Sequence, residues 1–285
     1  MGDALEHWVI NRLFAFAPNT KRDAMTMLHI LKLGGELLGG DSSNLAPLAG
    51  QLAQMPQPLI IVHGGGKQTT ALAERLGIEA RFHNGRRITD AAMLDVLVMT
   101  TAGLLNKRLV AALLAQRVRA VGIAACDGNI ICATKRQGTI DFGYVGDPIR
   151  AEIAPLIALL EAGFVPVIAP ITHDGCGQLL NTNADTVAAS LAAQFAAARW
   201  LDVRLWFCTP SGGVRDADGA IIPALDRQQL AQLVDRGVVR DGMLPKLDAA
   251  FAAADCGTAE VAIIATEHLP HARGTRILPV RGSAQ

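Results

Sequence analysis

Two clusters of glycine and lysine are the residues of this sequence best suited to bind and stabilise an anion. One spans Lys32–Gly35 and the other spans His63–Lys67, and each follows an apolar run that predicts a β-strand. Glycine lets the backbone approach a ligand closely, and N–H groups at the start of a helix bind phosphate oxygens. Neither cluster has the spacing of a Walker A loop or of GxGxxG. Each alone could be a tight turn between a strand and a helix, but two of them favour an anion site.

Two further clusters bring polar side chains to the starts of predicted helices. The segment Asn181–Asp185 places two Asn and one Asp within five residues. One or two of these would act as N-caps, and the cluster exceeds what capping requires. Lys246 follows Pro245 at the start of an Ala-rich helix and is one of only six lysines in the chain. A lone lysine near a helix is usually solvated, but its scarcity here favours a functional role.

Short apolar runs alternate with longer Ala- and Leu-rich stretches. The runs predict strands at Leu28–Leu33, Leu59–Val62, Arg119–Ile123, Val165–Ala169, Arg204–Cys208 and Val261–Ala265. The stretches, several with apolar positions three or four residues apart, predict helices at Ser43–Gln54, Gln68–Leu76, Ala91–Ala115, Ile153–Glu161, Ala184–Ala197, Asp226–Asp235 and Leu247–Ala254. This alternation predicts an α/β fold with a mainly parallel sheet covered on both faces. In such sheets, ligands bind beyond the carboxyl ends of the strands.

Two segments lie outside that alternation. Residues 1–26 carry apolar residues at helical spacing before Pro18, which predicts a helix that packs on its own domain or on another subunit. Residues 126–150 combine spaced glycines with alternating apolar residues. That pattern predicts an antiparallel excursion from the sheet, either a flap or a surface hairpin.

The composition argues against several classes of function. The chain has 285 residues with 26 Lys+Arg and 26 Asp+Glu, and this neutrality argues against a protein that coats nucleic acid or an anionic membrane. Only 4% of residues are aromatic, too few for a base-stacking platform. Five cysteines without a CxxC pair argue against a disulfide framework or a zinc site. With no continuous apolar run of about 18 residues and no secretory signal pattern, we expect a soluble cytoplasmic protein without metal-binding residues.

An ordered set of motifs resembles the amino acid kinase family from about residue 28 to residue 280. The set is Lys32-x-Gly34-Gly35, His63-Gly64-Gly65-Gly66, Asn84-Gly85-x-Arg87-Ile88-Thr89, Asn106-Lys107, Asp127-Gly128, Val145-Gly146, Asn181-x-Asn183-Ala184-Asp185, Gly242-Met243-x-x-Lys246 and Gly274-Thr275. One such motif would be weak evidence, whereas the ordered set is strong. Arg87 in its setting favours the branch of the family that acts on N-acetyl-L-glutamate.

The resemblance implies a role for each residue of the site. Lys32 and Lys246 would stabilise the transferring phosphoryl group, and Asp185 would hold both lysines in place. Arg87 and Asn181 would bind the α-carboxylate and the acylated amino group of the substrate. The remaining implied residues are Gly34, Gly35, Gly64 and Gly65 for the phosphates, Gly65 and Gly66 for the substrate, and Thr209, Gly212 and Met243 for the nucleotide. The family commonly has Asp at the position of Thr209, which bears on nucleotide binding.

The resemblance also implies an architecture and a set of ligands. The fold would be a three-layer αβα sandwich, of the α/β class, with a mainly parallel open sheet and two lobes. Residues 1–26 would form a helical extension, 27–178 an N-lobe for substrate binding and dimerisation, and 179–285 a C-lobe for the nucleotide. The ligands would be an N-acylated acidic amino acid and ATP, with Mg²⁺ held by phosphates and water. The assembly would be a homodimer or a higher oligomer.

The implied activity is ATP-dependent phosphorylation of the side-chain carboxylate of N-acetyl-L-glutamate, in arginine biosynthesis. Elementary chemistry agrees, because a side-chain carboxyl with a pKa of about 4.3 is already ionised at neutral pH and needs no general base. Asp185 therefore suits the role of organiser better than that of proton acceptor. Two alternatives remain open. One is an amino acid kinase with a related acceptor, and the other is a catalytically weak regulatory or sensor homologue, supported only by the Thr209 replacement.

Overall fold

An eight-stranded sheet forms the centre of the molecule. The computed structural model describes residues 27–39, 45–239, 243–271 and 273–280. In spatial order the strands are β12 (Ala224–Leu225), β14 (Gly274–Ile277), β13 (Glu260–Ile264), β11 (Asp202–Cys208), β1 (Met27–Leu33), β2 (Leu59–His63), β8 (Val165–Ala169) and β5 (Ala120–Ala124). All neighbouring pairs are parallel except β13 with β14. All six predicted strands are present, and their bounds differ from the predicted ones by at most two residues.

Helices cover both faces of this sheet. They are α1 (Ala46–Ala53), α2 (Gly66–Arg75), α3 (Ala91–Leu97), α4 (Asn106–Ala115), α5 (Ala154–Glu161), α6 (Ala184–Ala198), α7 (Arg227–Asp235) and α8 (Met243–Asp255). Successive side chains of a strand point to opposite faces. Accordingly Leu28 and Ile30 of β1 pack in one core with α5, α6 and α8, whereas Leu31 and Leu33 pack in a second core with α1 and α4. The expected three-layer α/β architecture is confirmed.

The predicted helix over 91–115 contains an irregularity. A π-helical stretch, Val98–Leu105, joins α3 to α4 without a break. The sequence has no continuous apolar run of about 18 residues. The continuous helix Ala91–Ala115 is nevertheless long and apolar enough, by length and composition, to cross a membrane. Half of its most apolar window is buried within the protein, and Leu109 and Leu113 pack against the sheet. Its hydropathy is therefore that of a core helix.

Two smaller β-structures stand beyond the main sheet. A four-stranded sheet has the order β10 (Leu179–Asn181), β9 (Ile171–His173), β6 (Ile131–Lys135) and β7 (Gly146–Ala151). Strands β6 and β7 are antiparallel, which confirms the excursion predicted within residues 126–150. A two-stranded ribbon pairs β3 (Phe82–His83) with β4 (Arg86–Arg87) and was not predicted, because two-residue strands show no periodicity.

The lobe assignment remains a prediction. Strands from residues 27–178 and from 179–285 share the main sheet, and β1 from the first segment pairs with β11 from the second. The predicted helical extension over residues 1–26 lies outside the described residues, as does the pair Asp241-Gly242. The largest change in bounds is at α8, which reaches back to Met243 instead of beginning at Leu247. Pro245 then lies in its first turn, where proline is tolerated because the N–H it lacks would have no partner.

Candidate active site

Two lysines meet one carboxylate at the carboxyl end of β1. Lys32 shares a face of β1 with Ile30, the face on which α6 and α8 pack, so its ammonium reaches the first turns of both helices. Asp185, in the first turn of α6, accepts on a single oxygen, Oδ1, from Lys32 Nζ at 2.9 Å and from Lys246 Nζ at 3.0 Å. All three side chains are about nine-tenths buried. Asn183 caps α6 and receives the Asp185 N–H at 2.7 Å, which fixes the turn that carries the carboxylate.

The charges of this cluster are set by one another. Burial would raise the pKa of the Asp185 carboxyl, but the two lysine cations outweigh burial and hold that pKa below its ordinary value. Burial lowers the pKa of Lys246, and the Lys32 charge adds to the effect, while Asp185 opposes it. Burial raises the pKa of the neighbouring Cys208 thiol to about 12, so this thiol stays neutral. Two ammonium groups against one carboxylate leave an excess of one positive charge at the site.

The two glycine loops are anchored to the sheet and to each other. The Gly34 N–H donates to the Cys208 carbonyl at 3.3 Å, and the Gly64 N–H donates to the Leu33 carbonyl at 3.0 Å. A Cβ on Gly35 would lie 2.7 Å from the Gly65 nitrogen, so only glycine permits this approach of the two loops. Among the described residues, no acceptor takes the N–H groups of Gly35, Gly65 or Gly66. These donors are therefore available to an anion.

Two cavities meet at this cluster. The first, of about 310 Å³, extends toward the small sheet and the ribbon, and the second, of about 550 Å³, extends toward β11 and α8. Lys32, Gly35 and Gly66 line both. Gly64 and Gly65 line only the first cavity, whereas Gly34, Asp185 and Lys246 line only the second. The lysine cluster thus lies at the wall between two adjoining ligand-sized spaces.

Arg87 and Asn181 line the first cavity. The Arg87 Nη2 donates to the Gly66 carbonyl at 2.9 Å and to Thr70 Oγ1 at 2.8 Å, and its guanidinium stacks 4.6 Å from the centre of the Phe82 ring. Burial lowers the pKa of Arg87, although an arginine so placed keeps its charge. The Asn181 Nδ2 donates to Thr89 Oγ1 at 2.9 Å, which leaves the amide oxygen free to accept. Positive charge and an amide are thus fixed in the wall of the same cavity as Lys32.

Several residues that line the first cavity were not identified from the sequence. Arg136, which directly follows β6, forms a bidentate ion pair with Asp147 of β7. Its Nε lies 3.1 and 3.0 Å from the two carboxylate oxygens, and its Nη2 contacts Oδ1. Arg86, beside Arg87 on β4, and Thr101, in the π-helical stretch, also line it. A basic residue and an acidic residue eleven positions apart carry no motif, and only the antiparallel pairing of β6 with β7 brings them together.

The second cavity is lined by two of the three residues expected on the nucleotide side. Thr209, at the end of β11, and Met243, at the start of α8, line it together with Pro210 and Ser211. Thr209 Oγ1 shares a hydrogen bond of 2.8 Å with Ser211 Oγ, which closes the turn after β11 without a carboxylate. Gly212 lines neither cavity. It takes a φ of 71° in that turn, and its N–H donates to the Thr209 carbonyl. Its contribution is to the shape of the loop.

The donor chemistry of the cavities suits phosphate. Within the described ranges there is no group of three or more His, Cys, Asp or Glu side chains that could hold a metal ion. The second cavity instead presents the ammonium groups of Lys32 and Lys246 and the N–H of Gly35, while the N–H of Gly34 is taken by the Cys208 carbonyl. Ammonium and N–H groups are hydrogen-bond donors that fit phosphate oxygens.

Comparison with known proteins adds to this geometry. A curated relative, acetylglutamate kinase from Phocaeicola vulgatus, is 41% identical over 254 residues, which cover 88% of this chain and 98% of the relative. The crystal structure of smu.665 from Streptococcus mutans UA159 matches with a TM-score of 0.73 at 25% identity, over 88% of this chain and 98% of that chain. N-acetylglutamate synthase from Neisseria gonorrhoeae, complexed with coenzyme A and N-acetyl-glutamate, matches with a TM-score of 0.75 at 24% identity. That match covers 97% of this chain and 64% of the synthase, and it indicates a shared fold only.

The family assignment rests on the extent of these matches. The model of the amino acid kinase family matches residues 27–265, a range that contains both glycine loops and all three members of the lysine cluster. The relative from P. vulgatus aligns over nearly its whole length. The motif order, the fold and these matches agree, and the chain belongs to the amino acid kinase family.

Proposed function

We propose that this protein transfers the terminal phosphoryl group of ATP to the side-chain carboxylate of N-acetyl-L-glutamate, giving an acyl phosphate, as a step of arginine biosynthesis. The observation that best supports this proposal is the Lys32–Asp185–Lys246 cluster at the wall between two cavities. One cavity is lined by Arg87 and Asn181, and the other by Thr209 and Met243. Relatives named acetylglutamate kinase, 41% and 39% identical over most of the chain, support this choice of acceptor.

The lysine cluster would stabilise the group in transit. In phosphoryl transfer the charge spreads over three equatorial oxygens, so catalysis depends on fixed positive charge and in-line alignment. Lys32 enters from the sheet and Lys246 enters from α8, and Asp185 holds both ammonium groups before any ligand binds. Such preorganised donors do not have to reorient during the reaction. The excess positive charge left by the cluster is therefore already in place when the phosphoryl group arrives.

The first cavity would hold the acceptor. Two contacts of Arg87 Nη2 and one of Nη1, to Met93 Sδ at 3.7 Å, fix its guanidinium. Nε and the second hydrogen of Nη1 are left as donors for the α-carboxylate of the acceptor. The free oxygen of Asn181 suits the N–H of the acylated amino group. With the α-carboxylate and the acylated amino group both held, the side-chain carboxylate would extend toward Lys32 and the glycine loops. It is ionised at neutral pH and attacks without a general base.

The second cavity would hold the nucleotide. Gly34, Gly35 and the two lysines face its phosphates, and Thr209 and Met243 lie farther along the same space. ATP supplies the phosphoryl group, and an accompanying Mg²⁺, held by phosphate oxygens and water, offsets part of its charge.

The assembly and the location belong to the same proposal. We place the enzyme in the cytoplasm as a homodimer formed through the N-lobe, residues 27–178, with the nucleotide on the C-lobe, residues 179–285. Residues 1–26 would extend that dimer to a higher oligomer. Light scattering of the full-length protein and of a variant lacking residues 1–26 tests this directly. An unchanged number of subunits in the shortened variant would show that residues 1–26 play no part in assembly. A monomeric full-length protein would refute the dimer.

A coupled assay of ADP release over a panel of acceptors tests the activity. We expect turnover on N-acetyl-L-glutamate, with Lys246→Met as the inactive control. Absence of turnover on N-acetylglutamate, N-succinylglutamate and N-acetylaminoadipate alike would refute the proposal. A preference for carbamate, aspartate or free glutamate would instead favour a related amino acid kinase. Tight binding of acetylglutamate without ATP-dependent turnover, unchanged in Lys32→Ala, would favour a sensor.

A further inference from the structure

A buried polar network lies behind the second glycine loop, on the opposite face of the sheet from the lysine cluster. His63, the last residue of β2, shares a strand face with Leu59 and Ile61, which pack in the core with α1 and α4. Its side chain is fully buried, and so is that of Asn106, the first residue of α4. The pair Asn106-Lys107 is among the family motifs, yet neither residue lines either cavity.

The contacts of Asn106 fix which nitrogen of His63 carries the proton. Asn106 Nδ2 lies 2.9 Å from the Val167 carbonyl and 3.1 Å from His63 Nε2. A carbonyl oxygen accepts only, so the atom facing Val167, and the Ile123 carbonyl at 3.4 Å, must be the amide nitrogen. An amide nitrogen only donates, so His63 Nε2 faces it as an acceptor. The Asn106 oxygen in turn accepts from Lys107 Nζ at 3.1 Å. The proton of His63 is therefore on Nδ1, which donates to the Gly64 carbonyl at 3.0 Å.

This tautomer has a consequence for the glycine loop. In a trans peptide the C=O and the following N–H point in opposite directions. Because the Gly64 carbonyl is held against the His63 ring, the Gly65 N–H is turned away from that ring, and no acceptor among the described residues takes it. The loop lines the first cavity. His63 thus sets the direction of a donor that the acceptor carboxylate or the phosphoryl group would meet.

The same long helix holds the loop at a second point. A Cβ on Gly65 would lie 2.6 Å from Leu105 Cδ1 and 2.9 Å from Thr101 Cγ2, both from the π-helical stretch. Asn106 follows directly at the start of α4. One helix therefore fixes the position of Gly65 through Thr101 and Leu105 and its orientation through Asn106 and His63. π-Helical stretches are frequent at functional sites.

We propose that His63 and Asn106 are positioning residues for phosphoryl transfer, which hold the Gly64–Gly65 peptide so that the Gly65 N–H faces the reacting groups. The proposal rests on the proposed kinase function. Neither residue touches a ligand, and their effect passes through the Gly64 carbonyl. A role in stability alone would not distinguish the two ring nitrogens of His63, whereas this role does.

Two substitutions at His63 separate the nitrogens. An Asn side chain places an N–H near the position of Nδ1 and keeps the hydrogen bond to the Gly64 carbonyl. A Gln side chain reaches the position of Nε2, so it keeps the hydrogen bond with Asn106 and loses the one to Gly64. We expect the kcat of His63→Gln to be at least about tenfold lower than that of His63→Asn. Complete loss of a preorganised donor lowers kcat by about 10²–10³, and a misdirected donor should lose a part of that. The KM values of the two variants should agree within about threefold. Both lose one hydrogen bond and the ring, so their thermal midpoints should agree.

The wild-type protein supplies a second measurement that does not require either variant to fold. A long-range ¹H–¹⁵N spectrum of the imidazoles should show His63 as the neutral Nδ1–H tautomer at pH 7 and still neutral at pH 5.5. An Nε2–H tautomer, or equal kcat in the two variants, would overturn the proposal while leaving kinase activity established. A wild-type enzyme without turnover on the acceptor panel would instead refute the proposed function.

Discussion

Replacing Asp185 by Asn should impair both stability and catalysis, because one carboxylate oxygen neutralises two buried lysines. Lys32 and Lys246 lie 2.9 and 3.0 Å from that oxygen. At such a separation and an effective dielectric constant of about 20, each attraction is on the order of 5 kcal/mol before the cost of desolvation. Removing one partner of a buried pair costs about 3–5 kcal/mol, since the other charge is left without compensation. In Asp185→Asn two ammonium groups lose their counter-ion, so we expect the free energy of unfolding to fall by about that amount.

Lys246→Met is the matched comparison. It leaves the Lys32–Asp185 pair intact and neutral, so we expect the free energy of unfolding to change by about 1 kcal/mol or less. Its kcat should nevertheless fall by about 10²–10³, the typical cost of one preorganised donor to a developing charge. The two variants would therefore both be poor enzymes, and only Asp185→Asn would also be a weakened fold.

Chemical denaturation and the coupled ADP-release assay, run on both variants, test this reasoning. Inorganic triphosphate should raise the unfolding midpoint of Asp185→Asn more than that of the wild type, because its charges replace the missing carboxylate. If Asp185→Asn unfolds at the wild-type denaturant concentration, the lysines do not depend on Asp185 for neutralisation. If Lys246→Met keeps wild-type kcat, Lys246 does not act on the phosphoryl group.

Three further predictions follow from other contacts. Arg87→Leu should raise the KM for the acceptor by about 10–100-fold with a smaller change in kcat, as expected for lost ground-state binding, and an unchanged KM would remove Arg87 from the acceptor site. Gly65→Ala should lower both kcat and stability, because the added Cβ would lie 2.6 Å from Leu105 Cδ1, whereas Gly50→Ala, with nothing within 4 Å, should leave kcat unchanged. Burial lowers the pKa of His63 to about 4, below the unfolded value of 6.5. Between these two pH values the unfolded chain binds more protons than the folded one. The stability that neutral His63 contributes is therefore fully present above pH 6.5 and is lost as the pH falls toward 4. The loss is up to about 1.4 kcal/mol per pH unit. Denaturant titrations at pH 7 and 5 would show a smaller difference in His63→Asn, and an equal difference would contradict the assignment.

The lysine cluster was predictable from sequence because its placement depends on local rules. The alternation of apolar residues along β1 gives Lys32 the same face as Ile30, and capping by Asn183 places Asp185 in the first turn of a helix. Parallel strands bring their carboxyl ends to one edge of a sheet. Local rules of this kind fixed the neighbourhood of each residue, and the family resemblance supplied their roles.

The rest of the first cavity depends on pairings that no local rule encodes. Arg136 and Asp147 meet only because β6 and β7 pair across an irregular connection. Likewise, Arg86 comes from a two-residue strand. The π-helical stretch before Asn106 has the same apolar spacing as an ordinary helix, so its register against Gly65 is set by tertiary packing alone.

The position of β1 gives the site a wide range of hydrogen-exchange rates. This strand is paired with β11 along Met27–Leu33 and with β2 along His29–Leu33, so the amide hydrogen of Lys32 should exchange only when the whole domain unfolds. The amides of Gly35 and Gly65, in the two glycine loops, have no acceptor among the described residues and should exchange far faster. A bound ligand would slow the fast class by direct contact, and it would slow the slow class through the stability that it adds to the whole domain. Deuterium uptake along this single chain would thus report ligand contact from one class of amides and global stability from the other, in one experiment.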